Sequence, residues 1–113
     1  MELQEELAYK NSQLDQAIKT LRKHGTELAE AESNYKEALS KEVLRLRDEG
    51  MAVTLINLVI YGLPSIKTLR LQRDIAEVTY DANKEYINIL KLQIRLIEAQ
   101  LEREYGNAGR GNI

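Results

Sequence analysis

From Glu2 to Glu49 there is no proline, and leucine recurs every seven residues at Leu7, Leu14, Leu21 and Leu28, with Tyr35 as the next member. A seven-residue apolar repeat drifts around a straight helix of 3.6 residues per turn, so it stays useful only where a second helix winds along the same seam. Leu3, Ile18 and Leu39 lie four residues from members of the row, and Ala17, Ala31 and Ala38 lie three away, which widens the stripe. Asn11, Gly25 and Glu32 interrupt it. Gly25 costs about 1 kcal/mol relative to alanine in a helix interior. Two readings of Lys23, His24, Gly25 and Thr26 compete: an unbroken helix whose glycine admits a close neighbour, or a break with Thr26 as a new N-cap. The row keeps its phase across the glycine, which favours the unbroken helix, expected over residues 2–49.

The second half carries a cleaner signal. Alternating steps of three and four from Ile66 reach Leu69, Arg73, Ala76, Tyr80, Asn83, Ile87, Leu90, Ile94, Ile97 and Leu101. Nine of these eleven positions are apolar, against roughly five expected from a hydrophobic fraction of 43%. The spacing predicts a helix over residues 65–105 whose oligomer seam is Ile66, Leu69, Tyr80, Asn83, Ile87, Leu90, Ile94, Ile97 and Leu101. A second row, Leu71, Ile75, Val78, Ala82, Tyr86, Ile89, Leu92 and Leu96, lies on neighbouring faces. That is more apolar surface than one partner helix covers, and a helix apolar on two sides usually has two partners.

Between the two halves, Gly50 to Ile66 holds no charge. Its β-branched residues suit a strand, yet Leu55 to Ile60 shows no strict alternation and no second strand is at hand, so a short buried helix over residues 52–61 is expected. Gly50 suits the C′ position of the first long helix and Gly62 that of the short one, while Pro64 and Ser65 open the second. Leu55, Leu58, Val59 and Ile60 exceed what a hairpin turn needs and form a candidate partner surface. The expected fold is all-α: two long helices in an antiparallel coiled-coil hairpin joined by a short apolar helix, gathered into an oligomeric bundle. The hairpin fills residues 1–105, and the glycine- and asparagine-rich stretch 106–113 is expected to be a flexible tail.

Composition narrows the chemistry. The 113 residues hold 16 Lys+Arg against 18 Asp+Glu, a formal net charge of -2 that gives no overall pull toward polyanions. There is no cysteine, Trp or Phe, so thiol catalysis, disulfides and cysteine metal sites are out. His24 is the only histidine, and no glutamate precedes it by three residues, which removes the di-iron signature of helical bundles and any triad within one chain. No glycine-rich phosphate loop occurs. No catalytic, cofactor or metal site is therefore expected, and the chain reads as no enzyme. The uncharged stretch is shorter than the ~20 apolar residues of a bilayer crossing, and the acidic start lacks the basic and apolar run of a secretory signal. The chain is therefore expected to be a soluble intracellular protein, without membrane contact.

Two polar residues sit on the good heptad. Asn83 reads as a register-fixing seam residue, and Arg73 needs an acid such as Glu42, Asp48 or one from a partner chain. In a hairpin, Lys41, Arg45 and Arg47 would approach Lys67, Arg70 and Arg73, forming a candidate nucleic-acid contact that Glu42, Asp48, Glu49 and Asp74 dilute. Arg45 and Arg47 are also explained by the dipole at a helix C-terminus.

Gly50-Met51-Ala52-Val53-Thr54-Leu55-Ile56, then Tyr61-Gly62, then Leu69-Arg70 with Arg73-Asp74-Ile75-Ala76-Glu77, form a recognisable series. Tyr80, Ala82-Asn83, Glu85, Ile87-Asn88, Lys91-Leu92, Arg95-Leu96-Ile97-Glu98, Gln100 and Arg103-Glu104 continue it. The series resembles small uncharacterised helical proteins of Gram-positive tailed phages and prophages over most of the chain. The resemblance implies an accessory phage protein in the host cytoplasm, often encoded among replication and recombination genes, and transfers no active-site residue. The expected function is a non-catalytic, self-associating coiled-coil module whose partners are further copies of itself and a phage or host protein, with inhibition of a host defence or nucleic-acid enzyme as one outcome. The alternative is a DNA-binding accessory factor in phage replication or recombination, using the basic end of the hairpin.

Overall fold

The computed structural model describes residues 2–111, with side chains described for 2–106. Helix α1 spans Leu3–Asp48, a short α2 spans Val53–Val59 and runs into a single 3₁₀ turn at Ile60–Gly62, and α3 spans Pro64–Gly111. No strand occurs among the described residues. The long helices are those that the two heptads predict, and α1 passes unbroken through Gly25. α3 is assigned six residues past the expected end at 105. The rest of the expected tail, Asn112 and Ile113, lies outside the described residues. The chain divides into two compact units.

One unit is Lys23–Tyr80. Within it α1 and α3 run antiparallel: Gly25 faces Tyr80, and ten residues further along α1, Tyr35 faces Arg73, seven residues back along α3. A Cβ built on Gly25 would lie 3.4 Å from Tyr80 Cε2, so the glycine marks a close approach of a large ring to the helix. The turn follows from the end of α1. Gly50 adopts φ 87°, a left-handed conformation that costs other residues a steric penalty. The Gly50 N–H donates to Arg47 O at 2.9 Å and the Met51 N–H to Leu46 O at 3.0 Å, the paired bonds of a Schellman cap. Met51 and Leu46 then meet in a cluster with Ile56 and Ile60, flanked by Leu39, Val43, Val59 and Leu63. Burying each isoleucine contributes about 1.5–3 kcal/mol.

Two expectations about this turn need correction. α2 is helical but buries only one side: Ile56 and Ile60, four residues apart, face inward, while Val53, Leu55 and Leu58 face out. Gly62 is no left-handed cap, since among the described residues only Gly50 has positive φ. The chain instead tightens into the 3₁₀ turn, where Leu63 N–H donates to Ile60 O at 3.3 Å. Leu63 is extended at φ -63° and ψ 132°, as a residue before proline prefers. Pro64 then opens α3, its fixed φ suiting the first helical position.

The other unit joins α1 up to Arg22 with α3 from Asp81. Its core is Ala17, Ile87 and Leu90, with Leu14 and Leu21 packed against them, and Ile94 and Ile97 are also buried. Asn83 Nδ2 donates to Ala17 O at 3.1 Å across the helix pair. An alanine on α1 at this level leaves room for a polar side chain to reach the backbone of the neighbouring helix.

Candidate functional site

The predicted seam of α3 is consumed inside the chain. Ile66, Ile87, Leu90, Ile94 and Ile97 are buried, and Leu69, Tyr80, Asn83 and Leu101 are half-buried. The sequence period establishes that a partner helix runs along these positions; within each unit that partner is α1 of the same chain. Asn83 accordingly fixes a level between two segments of one chain through its bond to Ala17.

The second row of α3 has the opposite fate. Leu71, Ile75, Val78, Tyr86, Ile89, Leu92 and Leu96 all stand among the exposed large hydrophobic side chains, and Ala82 is exposed with them. On a helix whose first seam is already covered, a heptad-spaced apolar row facing water is a candidate interaction surface. Beside it, Lys10, Gln13, Glu85, Tyr86 and Ile89 line an open groove of about 430 Å³. Gln13 Oε1 is buried there without a hydrogen-bond partner.

The candidate partner surface on α2 divides. Leu58, 81% exposed, and Leu55 face out, and Val59 is half-buried. Ile60 is 2% exposed and belongs to the core of the turn, because its position four residues after Ile56 puts it on the inward side.

The candidate nucleic-acid residues are mostly engaged by their own chain. Lys41 pairs with Glu37 at 2.9 Å. Arg45 bridges Glu42 and Glu49, each at 2.8 Å. The hydrogen bond to Glu42 foremost, and then that to Glu49, raises the Arg45 pKa above its ordinary value. Arg73 finds its acid in neighbouring Asp74 at 2.7 Å rather than in Glu42 or Asp48. Hydrogen bonding to Asp74 raises the Arg73 pKa too, and the guanidinium lies 4.8 Å from the ring centre of buried Tyr35. Arg70 stacks over Tyr61 at 5.1 Å. With Lys67, these two line an open groove of about 410 Å³. Arg47 and Lys67 form no ion pair among the described residues.

The Tyr61–Arg70 stack was not foreseen from sequence, since their nine-residue spacing crosses a turn and a helix start and carries no periodic signal. Among the described residues no group of three or more His, Cys, Asp or Glu is placed to hold a metal ion. No helix among them is long and apolar enough to cross a membrane. No family model, curated protein or solved structure matches the chain.

Proposed function

We propose that this chain is a non-catalytic helical interaction module that associates with further copies of itself and binds a phage or host protein in the host cytoplasm. The observation that supports this reading is the exposed second row of α3, Leu71 to Leu96, on a helix whose first seam is already occupied. Exposed apolar side chains at heptad spacing gain most by meeting another apolar helix face. Leu55 and Leu58 on α2 offer a separate apolar patch for the second partner. Binding then serves assembly or the inhibition of a host defence or nucleic-acid enzyme.

The test is sedimentation equilibrium of the purified chain, followed by recovery of bound host and phage proteins on the tagged protein with and without nuclease. Self-association at micromolar concentration and one protein recovered in stoichiometric amount after nuclease treatment are expected. A monomer that retains nothing overturns the reading. The DNA-binding alternative draws on Lys67 and Arg70 beside their groove, but it has fewer uncommitted cations to work with. DNA retention that collapses between low and moderate salt would favour it.

A further inference from the structure

The geometry points to a specific form of self-association: α3 pairs with α3 of a second copy, antiparallel, along its second apolar row. This rests on the self-association proposed above and adds which face, direction and alignment are used. In a strict heptad, Ile75, Ala82, Ile89 and Leu96 take one seam position, and Leu71, Val78, Glu85 and Leu92 take the other. Glu85 is the one polar member.

Antiparallel pairing can place Leu71 against Leu96 of the second copy, Ile75 against Leu92, Val78 against Ile89, and Glu85 against Ala82. Large apolar side chains then meet one another, and the carboxylate meets the smallest residue of the row. A parallel pair would instead set Glu85 against Glu85 of the second copy, two like charges in a seam layer.

The flanks select the alignment. The positions just before each Ile75-type residue are Lys67, Asp74, Asp81, Asn88, Arg95 and Glu102. In the antiparallel alignment above, Lys67 faces Glu102 of the second copy, Asp74 faces Arg95, and Asp81 faces Asn88. Each charged pair is opposite in sign and occurs twice by symmetry. Sliding one copy by a heptad sets Lys67 against Arg95 and Asp81 against its own counterpart, and sliding the other way sets Asp74 against Glu102, which cancels the single attractive pair formed there, Asp81 with Arg95. The remaining flank, Gln72, Thr79, Tyr86, Gln93 and Gln100, carries no charge, so a parallel pair leaves the acidic and basic positions without charged partners.

The surface available is sufficient. The exposed parts of the six large apolar seam side chains, with that of Tyr86 on the flank, amount to on the order of 700 Å² per chain, close to the ~800 Å² per partner hidden in a standard interface. Lys67 and Glu102 form no ion pair among the described residues and are available to a second copy.

Charge reversal tests the alignment. Asp74→Arg and Arg95→Asp should each weaken self-association about tenfold, because attraction becomes repulsion at two symmetric sites. The double variant should recover the original affinity, and so should an equimolar mixture of the two single variants, in which every reversed charge again faces its opposite. Lys67→Glu and Glu102→Lys provide the same exchange at a second pair, should loss of the Arg73–Asp74 contact disturb folding. Far-UV circular dichroism checks that each chain stays helical. Self-association that ignores these charges, or a double variant no better than the singles, overturns the inference while leaving self-association standing. An unmodified chain that stays monomeric overturns both.

Discussion

At Gly25 two demands on one residue can be separated. Glycine in a helix interior is entropically costly, by about 1 kcal/mol against alanine. Here a Cβ would meet Tyr80 at 3.4 Å, the near edge of van der Waals contact, which a small movement of the ring relieves. Gly25→Ala should therefore stabilise the protein by about 0.5–1 kcal/mol in chemical denaturation. Gly25→Leu should destabilise it by about 1–3 kcal/mol, because the larger side chain must displace the ring. A destabilising alanine would mean that the Tyr80 ring cannot give even a few tenths of an ångström. Asn83 sets the opposite balance. Its bond to Ala17 contributes about 1 kcal/mol, less than the apolar burial and helix propensity a leucine would bring to the same half-buried position. Asn83→Leu is expected to raise the melting midpoint by about 4 °C. It should also broaden the amide resonances of Leu14 to Leu21, since a directional contact between these segments is gone. A sharp, single set of resonances would count against a register role for the asparagine.

At the scale of elements, the turn shows how one short helix serves two purposes. Ile56, 2% exposed, anchors the cluster beneath α2, whereas Leu58 on the far side touches little. Ile56→Ala should cost about 2–5 kcal/mol of unfolding free energy. Leu58→Ala should change stability by less than about 0.5 kcal/mol while weakening any partner held through α2. Equal losses at both positions would mean that Leu58 is covered. The long helices, their seam, the Gly50 cap and the Pro64 start were all legible in the sequence, because each rests on local chemistry: period, handedness and a missing N–H. Three features were not. The period of Ile66 to Leu101 reports that a partner helix exists and is silent on which chain supplies it. The role of Ile60 depends on the side toward which α2 rolls, which is set by packing against Leu46 and Val43 rather than by α2 itself. Arg73 sits by Asp74 and the Tyr35 ring because a long side chain takes the nearest acid that also lets it cover an aromatic face.

For the whole molecule, the self-association proposed for the exposed row on α3 predicts a stability that depends on protein concentration. A net charge of -2 opposes association only weakly. If folding and self-association are coupled, raising the concentration favours the folded, associated state by mass action, by about 2.7 kcal/mol at a hundredfold excess over the dissociation constant. The melting midpoint should therefore climb by several degrees between about 2 and 200 μM. Ile75→Lys combined with Ile89→Lys places solvated charges on the row at positions that already face water, so the fold of each unit should survive. The double variant is expected to keep its far-UV helical signal at high dilution and to melt at one temperature whatever its concentration. On the proposed pairing, high salt should leave the concentration dependence of the unmodified chain largely in place, because apolar contact would supply most of the association and the flanking charge pairs would mainly select its alignment. A midpoint independent of concentration in the unmodified chain would mean that the exposed row is left for a different protein, and the surface would then have to be explained by that partner alone.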